Sequence, residues 1–150
     1  SPPLAEDLRL ASALGIDTDV RYIGVLTESE LAAAYRGASA FISTADEEGL
    51  GLSILEAMSS GCAVVATRCG GPEYSIEDGT SGVLVPRRDP EATAAALARL
   101  LTDGTYREAI GRAARERVER AFSVACTSAA FVRVWERLVN RTGPCAESRA

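Results

Sequence analysis

Four short, largely apolar runs, Val20 to Leu26, Ala40 to Thr44, Ala63 to Thr67 and Gly82 to Val85, alternate with stretches whose apolar residues recur at helical spacing. No other feature restricts the fold as much. A strand that is apolar at nearly every position has both faces buried, and such strands separated by helices belong to a parallel sheet covered on both sides. The expected fold is α/β: a Rossmann-like parallel sheet with helices on both faces and extra helices at the C-terminal end. With 150 residues, 47% of them hydrophobic, one real core can be buried.

Punctuation sets the element boundaries. Leu4, Leu8, Ala11 and Leu14 share a helical face between Pro2-Pro3 and Gly15, predicting a helix over 4–14. Thr27 with Glu30 three residues on is a capping-box pattern that opens a helix ending at Gly37. A helix over Ser53 to Ser60 closes at Gly61, and Gly70-Gly71-Pro72 opens a short one through Ile76. After Asp89-Pro90 the chain reads as helical over Glu91 to Leu101, Thr105 to Ala121 and Ser123 to Val139. Phe122, Phe131 and Trp135, at helical spacing, are expected to anchor the last helix to the core. The domain is expected to span 1–141, with 142–150 a disordered tail. A doubly wound sheet ordinarily begins on a strand, so the opening helix, with Met58 as the only methionine, suggests that leading strands lie upstream in a longer protein.

Charge and residue types exclude several function classes. A net charge of -5 gives no electrostatic reason to hold a nucleic-acid backbone. With no histidine, His-based triads are ruled out and proton transfer falls to carboxylates, an unusual amine or the substrate. Cys62, Cys69, Cys126 and Cys145 form no C-x-x-C pair and no zinc spacing, which suits reduced thiols in a cytoplasmic protein. No apolar run approaches the roughly 20 residues of a membrane helix.

In an open α/β sheet, ligands bind where the carboxyl ends of the strands lead into the next helices. The densest chemistry at such a place is Asp46-Glu47-Glu48-Gly49-Leu50-Gly51-Leu52-Ser53-Ile54-Leu55-Glu56-Ala57-Met58. Gly49 and Gly51 let backbone approach a ligand closely, and the helix start offers free N–H groups and a positive dipole end, a cradle suited to a diphosphate. Glu48 and Glu56 flank it, and carboxylates accept hydrogen bonds from hydroxyls in pairs, as sugars and riboses require. On spacing alone, a glycine-containing loop with two solvated glutamates remains an equal reading. Asp46, Glu47 and Glu48 could likewise be a divalent-cation cluster or a solvated acidic loop. Arg87-Arg88 could serve a phosphate or merely solvent, and Gly70 to Glu73 could touch a ligand or simply start a helix.

The stretch Glu48 to Met58, with seven residues between Glu48 and Glu56, resembles the E-x7-E motif of retaining GT-B glycosyltransferases of family four, the glycosyl transferases group 1. The similarity continues through Gly61 to Thr67, Gly70-Gly71-Pro72-Glu73-Tyr74, Glu77-Asp78-Gly79 and Gly82 to Pro86. Upstream it takes in Val20 to Gly24, Leu31 to Tyr35 and the first helix.

The resemblance implies a C-terminal donor-binding domain that transfers a sugar from a nucleotide-diphospho-sugar, a UDP- or GDP-sugar, with retention and without metal or cofactor. Glu48 would act at the donor sugar, and the amides of Gly49, Leu50, Gly51 and Leu52 would reach sugar and diphosphate. Glu56 would hold the ribose, and Gly24, Val25 and Leu26 would border the base. A front-face reaction assisted by the leaving diphosphate needs no enzyme nucleophile.

The family often has an aromatic residue at position 50 and Pro at 53, where this chain has Leu50 and Ser53. The family's N-terminal acceptor domain, and the first strands with the Arg and Lys that neutralise the diphosphate, have no counterpart in these 150 residues. Peripheral membrane association would act through that acceptor half. The alternatives are a stand-alone nucleotide-sugar binding or regulatory module without catalysis, and an unrelated flavodoxin-like interaction module.

Overall fold

The computed structural model describes residues 5–141. The expectations for residues 1–4, for Cys145 and for the tail over 142–150 lie outside them. The chain divides into two units at the Ala34–Tyr35 junction.

In the first unit, α1 runs Ala5–Ala13. It closes as the sequence predicts: Gly15 takes φ 68, and the Ile16 N–H reaches back to the Ala11 carbonyl at 3.0 Å, a left-handed turn that glycine adopts without strain. The expected strand Val20 to Leu26 is absent. Residues 20–27 are irregular and Val25 is 97% exposed.

Helix α2 spans Glu28–Gly37 across the junction. Its capping box is present: the Thr27 N–H donates to the Glu30 carboxylate at 2.8 Å, and the Glu30 N–H to the Thr27 hydroxyl at 3.4 Å. The Thr27 hydroxyl also donates to that carboxylate and holds its pKa below the usual carboxylate range. A folded pKa lowered in this way contributes stability above the usual range that is lost as pH falls through the lowered value. Thr27→Ala is expected to cost about 1 kcal/mol in urea unfolding at neutral pH, with the difference from the parent shrinking in acid.

The second unit is a three-stranded parallel sheet in the order β1-β2-β3: β1 Phe41–Ser43, β2 Val64–Thr67 and β3 Val83–Val85. Three strands of the four expected are therefore found among the described residues. Every residue of β2 is buried, as a central strand covered on both faces must be. On one face Val65 and Val85 join Leu100 and Ile110, with Val83, Ala96, Leu97 and Tyr106 packed around them. Val64, Ala66 and Leu84, one residue out of phase, are buried too.

The helices are α3 Leu52–Ser59, α4 Gly71–Ser75, α5 Pro90–Thr102, α6 Gly104–Ala121 and α7 Val124–Arg141. Helix α3 buries Ile54, Ala57 and Met58 and packs against β1, β2 and α6. Asp89 and Asp103 cap α5 and α6, each accepting a backbone N–H at 2.9 Å.

Helix α7 corrects another expectation. Phe122 is half-buried and lies edge-on to the exposed Tyr74, with ring centroids 5.6 Å apart, rather than in the core. Phe131 and Trp135, however, are 72% and 70% exposed. Helical spacing establishes a common face; it does not provide a surface to receive it.

Candidate functional site

The loop after β1 and the start of α3 lie at the carboxyl end of the sheet. Residues just beyond β1 and β2 are joined there by a single parallel bridge, Glu48 to Gly70. The Gly71 N–H donates to the Glu48 carbonyl at 2.8 Å. The two loops approach so closely that a Cβ on Gly71 would lie 2.5 Å from the Gly49 carbonyl oxygen. Only glycine permits this approach.

Gly51 is the N-cap of α3, in the left-handed region at φ 76, and no side chain caps the helix. The first-turn amides therefore have no side-chain partner, the condition in which a helix start receives an anion. The Glu48 carboxylate accepts the Gly51 N–H at 3.2 Å, which anchors the carboxylate beside the start of α3 with acceptor capacity left for hydroxyls.

Glu56 is exposed one turn further along α3. The Tyr35 hydroxyl donates to its carboxylate at 3.5 Å. Tyr35 is itself buried, edge-on to Phe41 with centroids 5.5 Å apart. Burial first, then the neighbouring Glu56 charge, push the phenol above its ordinary pKa, so it remains a donor. Leu50 and Leu52 are exposed at the loop and helix start.

The other acidic and basic candidates find partners. The Arg88 guanidinium grips Asp46 through two nitrogens, 2.8 Å at the closest, and Arg87 donates to the Asp46 carbonyl at 3.1 Å. The Arg88 pairing holds the Asp46 carboxyl below the usual range. Among the described residues, no three His, Cys, Asp or Glu side chains come together to hold a metal ion. Beside this pair is a cavity of about 520 Å³ lined by Thr44, Asp46, Thr67, Pro90, Thr93 and Leu97, among others. The Thr67 and Thr93 hydroxyls there already donate to the Ala45 and Asp89 carbonyls. Gly70 and Glu73 close the start of α4 on themselves, the Gly70 N–H meeting the Glu73 carboxylate at 2.8 Å.

Three residues that pattern reading missed shape this site. Tyr35 stood only at the end of the matched stretch Leu31 to Tyr35, with nothing to mark it as a partner of Glu56. Ser75 is fully buried and donates from Oγ to the Leu50 carbonyl at 3.0 Å. Arg117 on α6 donates from Nε to the Ser75 carbonyl at 2.6 Å and from Nη2 to the Tyr74 carbonyl at 2.8 Å. It also pairs with Glu77. Only the tertiary fold brings these pairs together.

The family model for glycosyl transferases group 1 matches residues 6–117. The chain belongs to that family. A D-inositol 3-phosphate glycosyltransferase of Corynebacterium kroppenstedtii is 39% identical over 144 residues, covering 94% of this chain and 32% of the relative. Across the first curated relatives, this group 1 chain spans between about a quarter and a third of their length.

Among solved structures, the C-terminal domain of a glycosyl transferase group 1 family protein, LpcC of Francisella tularensis, has a TM-score of 0.72 at 29% identity. The match covers 79% of this chain and 62% of that one. Anabaena HepE, solved in complex with UDP-glucose, has a TM-score of 0.81 at 21% identity, covering 88% and 36% of the two chains. At that identity HepE supports the fold alone. No helix among the described residues is long and apolar enough to cross a membrane, and Cys62, Cys69 and Cys126 are free thiols.

Proposed function

We propose that this chain is the donor-binding part of a GT-B glycosyltransferase that moves a sugar, with retention, from a nucleotide-diphospho-sugar to an acceptor hydroxyl. The observation that carries the reading is the placing of two carboxylates, Glu48 and Glu56, around the uncapped start of α3. The amides of Gly49, Leu50 and Leu52 take the sugar and diphosphate while the Gly51 N–H holds Glu48, Glu48 takes the sugar hydroxyls and Glu56 the ribose. Tyr35 steadies Glu56 for that task. We take UDP as the nucleotide, the one with which Anabaena HepE, a protein of the same fold, is solved. An acceptor domain from elsewhere in the protein completes the cleft, and the thiols and apolar balance suit a cytoplasmic enzyme.

As the family resemblance implies, the proposed chemistry is front-face: the departing diphosphate takes the acceptor proton, and the protein's part is positioning and charge.

Titration calorimetry with UDP and UDP-glucose tests the roles. Glu56→Gln is expected to weaken both by about tenfold or more, as loss of a charged hydrogen bond implies. Glu48→Gln keeps an acceptor oxygen for Gly51 and is expected to weaken UDP-glucose while leaving UDP unchanged. Equal losses of UDP in the two variants would contradict this assignment.

A further inference from the structure

We propose that Ser75, held from behind by Arg117, is a positioning residue that sets the orientation of the Glu48 carboxylate. The inference rests on the reading of Glu48 as the group that meets the donor sugar.

The link runs through one peptide unit. In a planar trans peptide the C=O of residue 50 and the N–H of residue 51 point to opposite sides. Here both ends are clamped: the Leu50 carbonyl accepts the Ser75 hydroxyl at 3.0 Å, and the Gly51 N–H donates to the Glu48 carboxylate at 3.2 Å. Rotating this peptide would break both bonds at once. Gly51, in the left-handed region at φ 76, has the wide backbone freedom that makes such a rotation easy. The Ser75 hydroxyl limits that freedom.

Ser75 is in turn fixed. It ends a helix of only five residues, too short to hold its own shape. Arg117 donates to the last two carbonyls of that helix, Tyr74 and Ser75, and is itself held by Glu77 and by the Phe122 ring, 5.8 Å from its guanidinium carbon. Positional order therefore passes from α6, anchored in the core by Ile110 and Ala114, through α4 to Leu50–Gly51 and on to Glu48. A methyl in place of the buried hydroxyl would leave the Leu50 carbonyl without this partner.

The test uses the 150-residue chain labelled with nitrogen-15, first without ligand. Ser75→Ala is expected to speed hydrogen exchange at the Gly51 amide about tenfold, as loss of one ordinary hydrogen bond implies, with little change in melting temperature. Arg117→Lys keeps the charge and loses the fork; it is the second variant, expected to move the same amide in the same direction by a smaller factor.

With UDP-glucose and UDP as probes, Ser75→Ala is expected to weaken UDP-glucose about tenfold and leave UDP within twofold. In a Glu48→Gln background it should add nothing further, because it acts through that carboxylate. Unchanged Gly51 exchange in both variants overturns the proposal. So do losses of UDP-glucose affinity that multiply when the Ser75 and Glu48 substitutions are combined. A parent chain indifferent to UDP-glucose would sink the donor reading instead, and the Gly51 amide alone would then decide the role of Ser75.

Discussion

Gly71→Ala is expected to weaken donor binding by about a hundredfold. The added Cβ would lie 2.5 Å from the Gly49 carbonyl oxygen, 2.7 Å from its carbon and 2.8 Å from the Leu50 Cα. All three are backbone atoms, so no side chain can rotate out of the way. One loop must move, and the segment it meets carries Glu48, Gly49 and Gly51. A displacement of about 1 Å at a site whose function is positioning costs roughly a hundredfold, so UDP-glucose affinity should fall by about that factor. Overpacking of this kind also costs about 1–3 kcal/mol of stability. Calorimetry and a thermal melt separate the two effects. Affinity within twofold of the parent would show that the loops part without disturbing the carboxylate.

Gly111→Ala should produce the largest loss of stability. Gly111 lies on α6 against the turn that joins α3 to β2, and a Cβ there would collide with the Gly61 carbonyl oxygen. Gly61 is held at φ 77, and the Cys62 N–H bonds back to Ala57 at 3.0 Å, so the turn resists moving. Helix α6 must shift outward, loosening the Ile110 and Ala114 contacts together. The expected cost is about 3 kcal/mol, a drop of roughly 10 °C in melting temperature. Gly104→Ala is the control: its Cβ would meet only the tip of Arg107 at 3.5 Å, so it should be neutral or slightly stabilising. Similar losses in the two variants would place the cost in helix entry rather than in the α6 contact.

Local pattern carried much of this fold. Thr27 and Glu30, Gly15, and Asp89 before Pro90 act within a few residues of themselves, so one stretch of chain is enough to read them. The buried β2 was legible for a related reason: Val64 to Ala66 is apolar at every position, which only a strand covered on both faces requires. Val20 to Leu26 looked similar and is not a strand, because a strand is completed by a ladder partner that its own residues do not specify. The family resemblance, read from Glu48 to Pro86 and from the upstream stretches Val20 to Gly24 and Leu31 to Tyr35 with the first helix, holds. The contacts that set the site, Tyr35 to Glu56, Ser75 to Leu50 and Arg117 to Tyr74, join residues 21, 25 and 43 positions apart. No periodicity reports such pairs. Phe131 and Trp135 show the converse, a clear periodic face that the described residues leave exposed.

That exposed helix also sets where cooperative unfolding ends. Helix α7 is 18 residues long, near the length at which an isolated helix in water is marginal, and little burial supplements its own hydrogen bonds. The work of opening it is therefore close to the work of melting a peptide helix, whereas opening β2 requires the whole core to come apart. Just before α7, Phe122 is edge-on to Tyr74 and packs directly against the Arg117 guanidinium. Beyond Phe122 the backbone can lose and regain its helical turns many times over the lifetime of the folded sheet, as a subunit of stability in its own right.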